Sequence, residues 1–167
     1  DTATTEIYTL SLHDALPISE AAILNGIILE DEKVYGTVHV AFGTNTSFGG
    51  VNKADCHIAL HWDSTKTDKG AFYMSVPNNA AYRAMEPVAS HWESHNKLGS
   101  ALVGGLKQNG VKIFSSGSME MDLTQTSYST IPSIDIELGD KASSHSDATL
   151  SIQADGLVAG IDAFFGF

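Results

Sequence analysis

The stretch CHIALHWDS, residues 56–64, alternates polar and apolar side chains with the two-residue period of a β-strand. In a strand, one face carries His57, His61 and Asp63, and the other face is apolar, with Ile58, Leu60 and Trp62. The apolar face predicts a core on that side of a sheet. The polar face holds two imidazoles and a carboxylate, which are either packed polar groups or candidates for chemistry.

The stretch IPSIDIEL (131–138) has the same alternation, with Asp135 and Glu137 on one face. GAFYMSV and VKIF predict shorter strands. Two helices follow from apolar residues at helical spacing, one ending at Asn109-Gly110 and one closing the chain, and Gly104-Gly105 in the first indicates close packing or a turn. This order predicts a single α/β domain, a central mostly parallel sheet flanked by helices with an irregular N-terminal tail.

Composition narrows the functional classes. The 167 residues are 43% hydrophobic and 17% charged, as in a globular domain, and the net charge of −11 argues against nucleic-acid binding. The lone Cys56 excludes an intrachain disulfide framework and a cysteine zinc cage. No apolar run reaches the ~20 residues that span a bilayer, so no membrane insertion is expected, and the first residues lack the pattern of a signal peptide.

His61 and Glu137 form the strongest candidate pair, because each lies near the carboxyl end of a predicted strand, where functional groups of parallel sheets collect. A neutral imidazole is a good zinc ligand, and a nearby carboxylate can accept a proton from water. The alternative is a solvent-facing Glu137 on an edge strand beside an ordinary strand-end histidine.

Other histidines are weaker candidates. His91 and His95, in SHWESH, are one helical turn apart but lack the His-Glu-x-x-His order, so we expect them on a solvated helix face. His57 is expected to be a packed, hydrogen-bonded strand residue. His39, in VYGTVHVAF, stands alone in its predicted strand.

Five blocks of residues 53–167 resemble the catalytic domain of zinc-dependent N-acetylmuramoyl-L-alanine amidases, the cell-wall hydrolases of bacteria and phages. The blocks are KADCHIALHWDS, GAFYMSV, KLGSALVGGLKQNGV, IPSIDIELGD and ADGLVAGIDAFFG. The resemblance implies a Zn²⁺ cofactor with His61 as a metal ligand and Glu137 as the catalytic residue. It also implies a peptidoglycan substrate, cleaved between muramic acid and L-alanine, and an extracellular or cell-wall location.

That family opens with Asp-x-Gly-His-Gly-Gly, whose histidine binds zinc, and a glutamate ligand follows. Residues 1–52 contain neither element. With His61 alone, a zinc site is two protein ligands short of the usual catalytic three. A catalytically incomplete amidase-like fragment is therefore a further alternative, unless His39 substitutes for the first ligand.

Residues 24–50 (LNGIILEDEKVYGTVHVAFGTNTSFGG) resemble metal-dependent aminopeptidases of the aminopeptidase T type. That resemblance implies His39, His61 and Asp63 as metal ligands and makes a metal aminopeptidase the alternative enzyme. Residues 1–19 resemble an adapter-derived peptide found at the ends of unrelated metagenomic translations. We therefore divide the chain into a non-native tail (1–19), an aminopeptidase-like segment (20–52) and an amidase-like catalytic domain truncated on its N-terminal side (53–167).

Overall fold

The computed structural model describes residues 28–32, 37–42 and 55–167 of the chain. Its strands are β1 (Ile28–Glu32), β2 (Thr37–Phe42), β3 (Cys56–Asp63), β4 (Ala71–Ser75), β5 (Ile113–Glu120) and β6 (Ser133–Asp140). Its helices are α1 (Ala80–Arg83), α2 (Val88–Gln108), α3 (Thr124–Ser127) and α4 (Asp147–Phe165). The tail predicted over residues 1–19 lies outside the described residues. Among these helices, none has the length and apolar character needed to cross a membrane.

The six strands form one sheet in the order β1-β2-β3-β6-β4-β5, which confirms a single α/β domain. The sheet is mixed, not mostly parallel: β3 pairs with β6 and β4 with β5 in parallel, and the other three pairings are antiparallel. β4 cannot run parallel to β3, because a parallel crossover needs a dozen or more residues and the connection from Asp63 to Ala71 is shorter than that. β4 therefore runs back along β6.

The core lies on the face of the sheet that is covered by α2 and α4. The apolar face of β3 packs there, as the alternation in residues 56–64 predicts, together with the apolar face of β6. Leu98, Leu102 and Leu106 of α2 are fully buried in this core, and Leu150 and Ile161 come from α4. Packing both helices on one face leaves the polar side chains of β3 and β6 together on the opposite face.

Three glycines bring the two helices into backbone contact. A Cβ added to Gly105 of α2 would lie 2.2 Å from the carbonyl oxygen of Gly156 and 2.5 Å from the nitrogen of Gly160, both in α4. A Cβ on Gly160 would likewise lie 2.5 Å from the Cα of Leu102. Gly105 is therefore a close-packing residue inside a helix rather than part of a turn, whereas Gly104 faces open space.

β5 is longer than the predicted VKIF strand, because it continues through the polar residues that follow. Its pairing with β4 shifts between Ala71, opposite Ile113, and Tyr73, opposite Ser118. Ser115 and Gly117 in the intervening bulge have positive φ angles of 50° and 88°. The bulge explains why this stretch lacks the strand alternation from which β5 could be predicted.

His95 contradicts the predicted solvated face of α2, because it is fully buried. Its Nδ1 accepts a hydrogen bond of 3.0 Å from the backbone N–H of Ser133, at the start of β6. Burial and the charge of His91 together lower the pKa of His95 to about 4, against a hydrogen bond to the backbone of Ser129 that acts in the opposite direction. His95 is a structural link between α2 and the sheet.

The buried His95 predicts a loss of stability in acid. The unfolded chain protonates this histidine below its ordinary pKa of 6.5, whereas the folded chain does not until about pH 4. The free energy of unfolding should therefore fall by about 3 kcal/mol between pH 6.5 and 4 on account of this group. His95→Asn keeps an acceptor for the Ser133 N–H and removes the titration. In denaturant melts at pH 7 and pH 4 it should lose less stability than the wild type, whereas His145→Asn should follow the wild type.

Candidate active site

The parallel pairing of β3 with β6 brings the predicted pair together. His61 and Glu137 are register partners on these neighbouring strands, which lie ~4.8 Å apart in a sheet. Both belong to the polar face, because each is an odd-numbered residue in a strand whose even-numbered residues enter the core. Glu137 lies inside the sheet between β3 and β4 and is half-buried, which rules out the edge-strand alternative.

Asp135 is a close neighbour of His61 to which the sequence pattern gave no role. Its Oδ2 lies 3.1 Å from Nε2 of His61, and its side chain is only 13% exposed. The alternation of β6 already placed Asp135 on the face of Glu137. Its role depended on the lateral register of two strands, which the sequence does not state.

The electrostatics of the site raise the pKa values of both predicted residues. Burial lowers the pKa of His61, but the hydrogen bond to Asp135 and the charges of Asp135 and Glu137 outweigh it, so the net pKa is above the usual 6.5. Burial and the charge of Asp135 raise the pKa of Glu137, the charge of His61 opposes them, and the net pKa is about 7. Near neutral pH, Glu137 can therefore both accept and return a proton.

A lysine that no sequence pattern indicated also reaches this face. Nζ of Lys69, in the loop before β4, lies 2.5 Å from Oδ2 of Asp63 at the end of β3. The ammonium also lies 5.4 Å from the ring centroid of Phe72 and 5.0 Å from that of Phe114. Asp63, a ligand in the aminopeptidase hypothesis, is thus engaged by a cation, and its charge and that of Lys69 act on the Glu137 pKa in opposite directions.

Two buried carboxylate oxygens lack partners among the described residues: Oδ1 of Asp135 and Oε2 of Glu137. Buried polar atoms normally have hydrogen-bond partners, and exceptions are common at functional sites. Each oxygen is an enclosed acceptor whose hydrogen-bonding capacity is unused among the described residues. The polar face is therefore equipped with acceptors next to the His61 imidazole.

The described residues do not by themselves fit a catalytic zinc centre. No group of three or more His, Cys, Asp or Glu side chains that could hold a metal ion occurs in the described part of the chain. Nε2 of His61 is already bonded to Asp135, and Asp63 is bonded to Lys69. A tetrahedral catalytic zinc usually requires three protein ligands.

The remaining strand histidines have distinct places. Nδ1 of His57 lies 2.8 Å from Oγ of Ser133, which confirms the predicted hydrogen-bonded strand histidine. His39 is opposite Ala59 in the antiparallel pairing of β2 with β3, two residues from His61 along β3. The backbone register thus brings the strand of His39 alongside that of His61, as the substitute-ligand hypothesis requires.

The loop that follows β3 is fixed by Asp140, at the end of β6. Asp140 is fully buried and accepts hydrogen bonds from the backbone N–H and the hydroxyl of Thr65, at 2.8 and 2.5 Å. Burial acts to raise the pKa of Asp140, but these bonds and others from the backbone outweigh it, and the net pKa lies below the usual value. The ionised carboxylate therefore anchors the loop that carries Lys69.

Comparison with known proteins gives no match to a protein-family model and none among curated proteins. Solved structures do match. The N-acetylmuramyl-L-alanine amidase Ami1 of Mycobacterium smegmatis aligns with a TM-score of 0.63 and 15% identity over 92% of this chain and 74% of that one. The CwlD amidase of Clostridioides difficile, solved in complex with the GerS lipoprotein, aligns with a TM-score of 0.60 and 13% identity over 92% and 83%.

The chain has the fold of N-acetylmuramyl-L-alanine amidases. Apo Ami1 of Mycobacterium abscessus also aligns, with a TM-score of 0.50 and 20% identity over 67% of this chain. The match spans about half of that protein, 55% of its chain. At these sequence identities the likeness is one of fold, and the chemistry depends on the residues of the site itself.

Proposed function

We propose that this chain is a peptidoglycan hydrolase that cleaves the amide between N-acetylmuramic acid and L-alanine. The supporting observation is the pairing of His61 with Glu137 on the polar face of an amidase fold. The resemblance to the amidase family implies catalysis by Glu137 and metal binding by His61. The substrate places the working location outside the cell or in its wall.

Glu137 is proposed as the group that moves the proton. Its carboxylate accepts a proton from a water molecule as the water oxygen attacks the carbonyl carbon of the scissile amide. It then returns that proton to the amide nitrogen as the carbon–nitrogen bond breaks, which leaves a carboxylic acid and a free amine. A pKa of about 7 supports both steps, and Asp135 orients the His61 imidazole beside them.

Zinc dependence is a separate part of the proposal, because the described residues do not complete a zinc centre. Zinc, when bound to His61, would polarise a substrate carbonyl and acidify water. The missing ligands would have to come from outside the described side chains, and His39 is the predicted candidate. No step above depends on zinc.

The bond specificity is tested on purified peptidoglycan. We expect soluble peptides with a new L-alanine amino terminus, with no new reducing sugar ends, detected by mass spectrometry and amine labelling. His91→Ala, on α2, serves as a histidine control and should leave the products unchanged. New reducing ends, or cleavage only at amino termini of short peptides, would contradict an amidase; the latter would favour the aminopeptidase.

Metal removal tests the zinc proposal. We expect dialysed wild-type protein to retain close to one zinc ion per chain by elemental analysis, and a strong chelator to abolish peptidoglycan cleavage until zinc is restored. His61→Ala should lose the metal, and His57→Ala should keep it because His57 is bonded to Ser133. Unchanged activity in metal-free protein would refute zinc dependence while leaving the role of Glu137 open to its own test.

A further inference from the structure

A cleft of about 300 Å³ opens at the edge of the sheet where β6 ends and β4 and β5 begin. Leu138 of β6 and Gln153 of α4 line it, so it lies on the helix-covered side of the sheet. His61 and Glu137 belong to the opposite face. Lys69 lines the cleft and also contacts Asp63 on the polar face. The cleft and the polar face are therefore neighbours at the same end of the sheet.

One polar group lining the cleft lacks a partner. Gln153 is only 3% exposed, and its Nε2 donates a 2.9 Å hydrogen bond to the carbonyl oxygen of Leu138. That bond fixes the orientation of the amide. The other amide atom, Oε1, has no hydrogen-bond partner among the described residues. Oε1 is thus an unsatisfied acceptor in the wall of the cleft, where a buried polar atom normally has a partner.

The cleft also has a pair of opposite charges. Nζ of Lys112 lies 3.1 Å from Oδ2 of Asp68, and both side chains line the cleft. They are 63% and 66% exposed, and an exposed ion pair of this kind contributes little to stability. Lys112 also donates a hydrogen bond of 2.5 Å to the carbonyl oxygen of Asp68, and Oδ1 of Asp68 accepts one of 3.1 Å from Ser143. Both charges are thus held in place at the cleft while they stay accessible to a ligand group.

An apolar surface completes the cleft. Val111, Leu138 and Ile152 line it, and Ile152 is 45% exposed, which is high for an isoleucine in a helix next to the core. Small apolar groups can cover this surface. The combination of a cation, a carboxylate, an amide oxygen and apolar side chains matches a molecule with a carboxylate, N–H donors and methyl-sized side chains.

We propose that this cleft binds a short peptide that has small apolar side chains and a free carboxylate. Lys112 binds the carboxylate, Asp68 and Gln153 accept from ammonium or amide N–H groups, and the side chains contact Ile152 and Val111. Assigning the peptide to the stem of peptidoglycan rests on the proposed function, whereas the binding of a carboxylate peptide does not. The cleft would hold a second segment of the peptidoglycan substrate, next to the polar face that carries His61 and Glu137.

The test is a titration of the full chain with D-alanyl-D-alanine and, separately, L-alanyl-L-alanine, followed by NMR. A ligand of this size in an open cleft is expected to bind in the millimolar range. The amide signals of Gln153 and Val111 should shift saturably. Lys112→Glu should weaken binding about tenfold or more, which corresponds to ~1.4 kcal/mol. The exposed Lys107→Glu, at the end of α2 and outside the cleft, should not.

Two further titrations test whether the ligand carboxylate is recognised and whether the ligand is a wall peptide. The C-terminal amide of the dipeptide lacks the carboxylate and should bind as weakly as the acid binds to Lys112→Glu. Preference for the D-dipeptide supports a wall peptide, and equal or better binding of the L-dipeptide overturns that source. No saturable shift, or equal binding by wild type and Lys112→Glu, overturns the site. Because binding is measured without turnover, a chain inactive on peptidoglycan can still pass this test.

Discussion

Glu137→Gln is expected to lower the rate of peptidoglycan cleavage by a factor of ~10²–10⁴, the usual contribution of a positioned general acid–base group. Glutamine keeps the size of the side chain and its place between β3 and β4, but it can neither accept nor return a proton. The measurement is the initial rate of amine release from purified peptidoglycan under saturating substrate. Unaltered binding to insoluble peptidoglycan would locate the defect in the chemical step.

The control for this variant is Glu93→Gln, at an exposed position of α2, which should retain wild-type activity. Folding provides a second control. Burial disfavours the ionised form of Glu137, so a neutral glutamine should leave the free energy of unfolding at pH 8 unchanged or slightly higher. A stable Glu137→Gln protein that keeps more than a tenth of the wild-type rate would rule out the proposed role.

Gly105→Ala is expected to destabilise the domain by about 3 kcal/mol, at the upper end of the usual overpacking cost. The added Cβ would meet the backbone of Gly156 and Gly160 at 2.2–2.5 Å, and backbone atoms cannot move aside by changing rotamer. Helices α2 and α4 would have to separate, which exposes core side chains on both. The measurement is the free energy of unfolding from denaturant melts followed by circular dichroism.

The neighbouring residue supplies the matched control. A Cβ added to Gly104 would meet no atom within 4 Å. Gly104→Ala therefore gains only the helix propensity of alanine and should stabilise the domain by ~0.5–1 kcal/mol. Similar effects of the two substitutions would show that the backbone contact between the helices does not limit stability.

Local periodicity predicted most of the elements. The alternation in residues 56–64 and in IPSIDIEL predicted β3 and β6 and the apolar faces that form the core. The helical spacing of apolar residues predicted α2, with its end at Asn109, and α4. These predictions succeed because side-chain direction repeats every two residues in a strand and every 3.6 in a helix. Local periodicity gives no strand signal for the charged residues 30–32, which belong to β1 because they pair with β2.

The candidate site was only half predictable. Residue type and strand-end position singled out His61 and Glu137, but the hydrogen bond from His61 to Asp135 depends on the lateral register of two strands that are more than seventy residues apart in the chain. Lys69 lies in a polar loop with no periodic signal, and it reaches Asp63 because that loop turns back between β3 and β4.

By itself, then, the sequence determined the α/β class, the polar and apolar faces of the central strands, and His61 and Glu137 as the candidate site residues. Only the tertiary structure decided that the sheet is mixed, that His95 is a buried link and not a surface residue, and that Asp135 and Lys69 complete the charged face. The physical reason is range. Periodicity is a property of adjacent residues, whereas burial, pKa and ion pairing arise between residues that only the folded chain brings into contact.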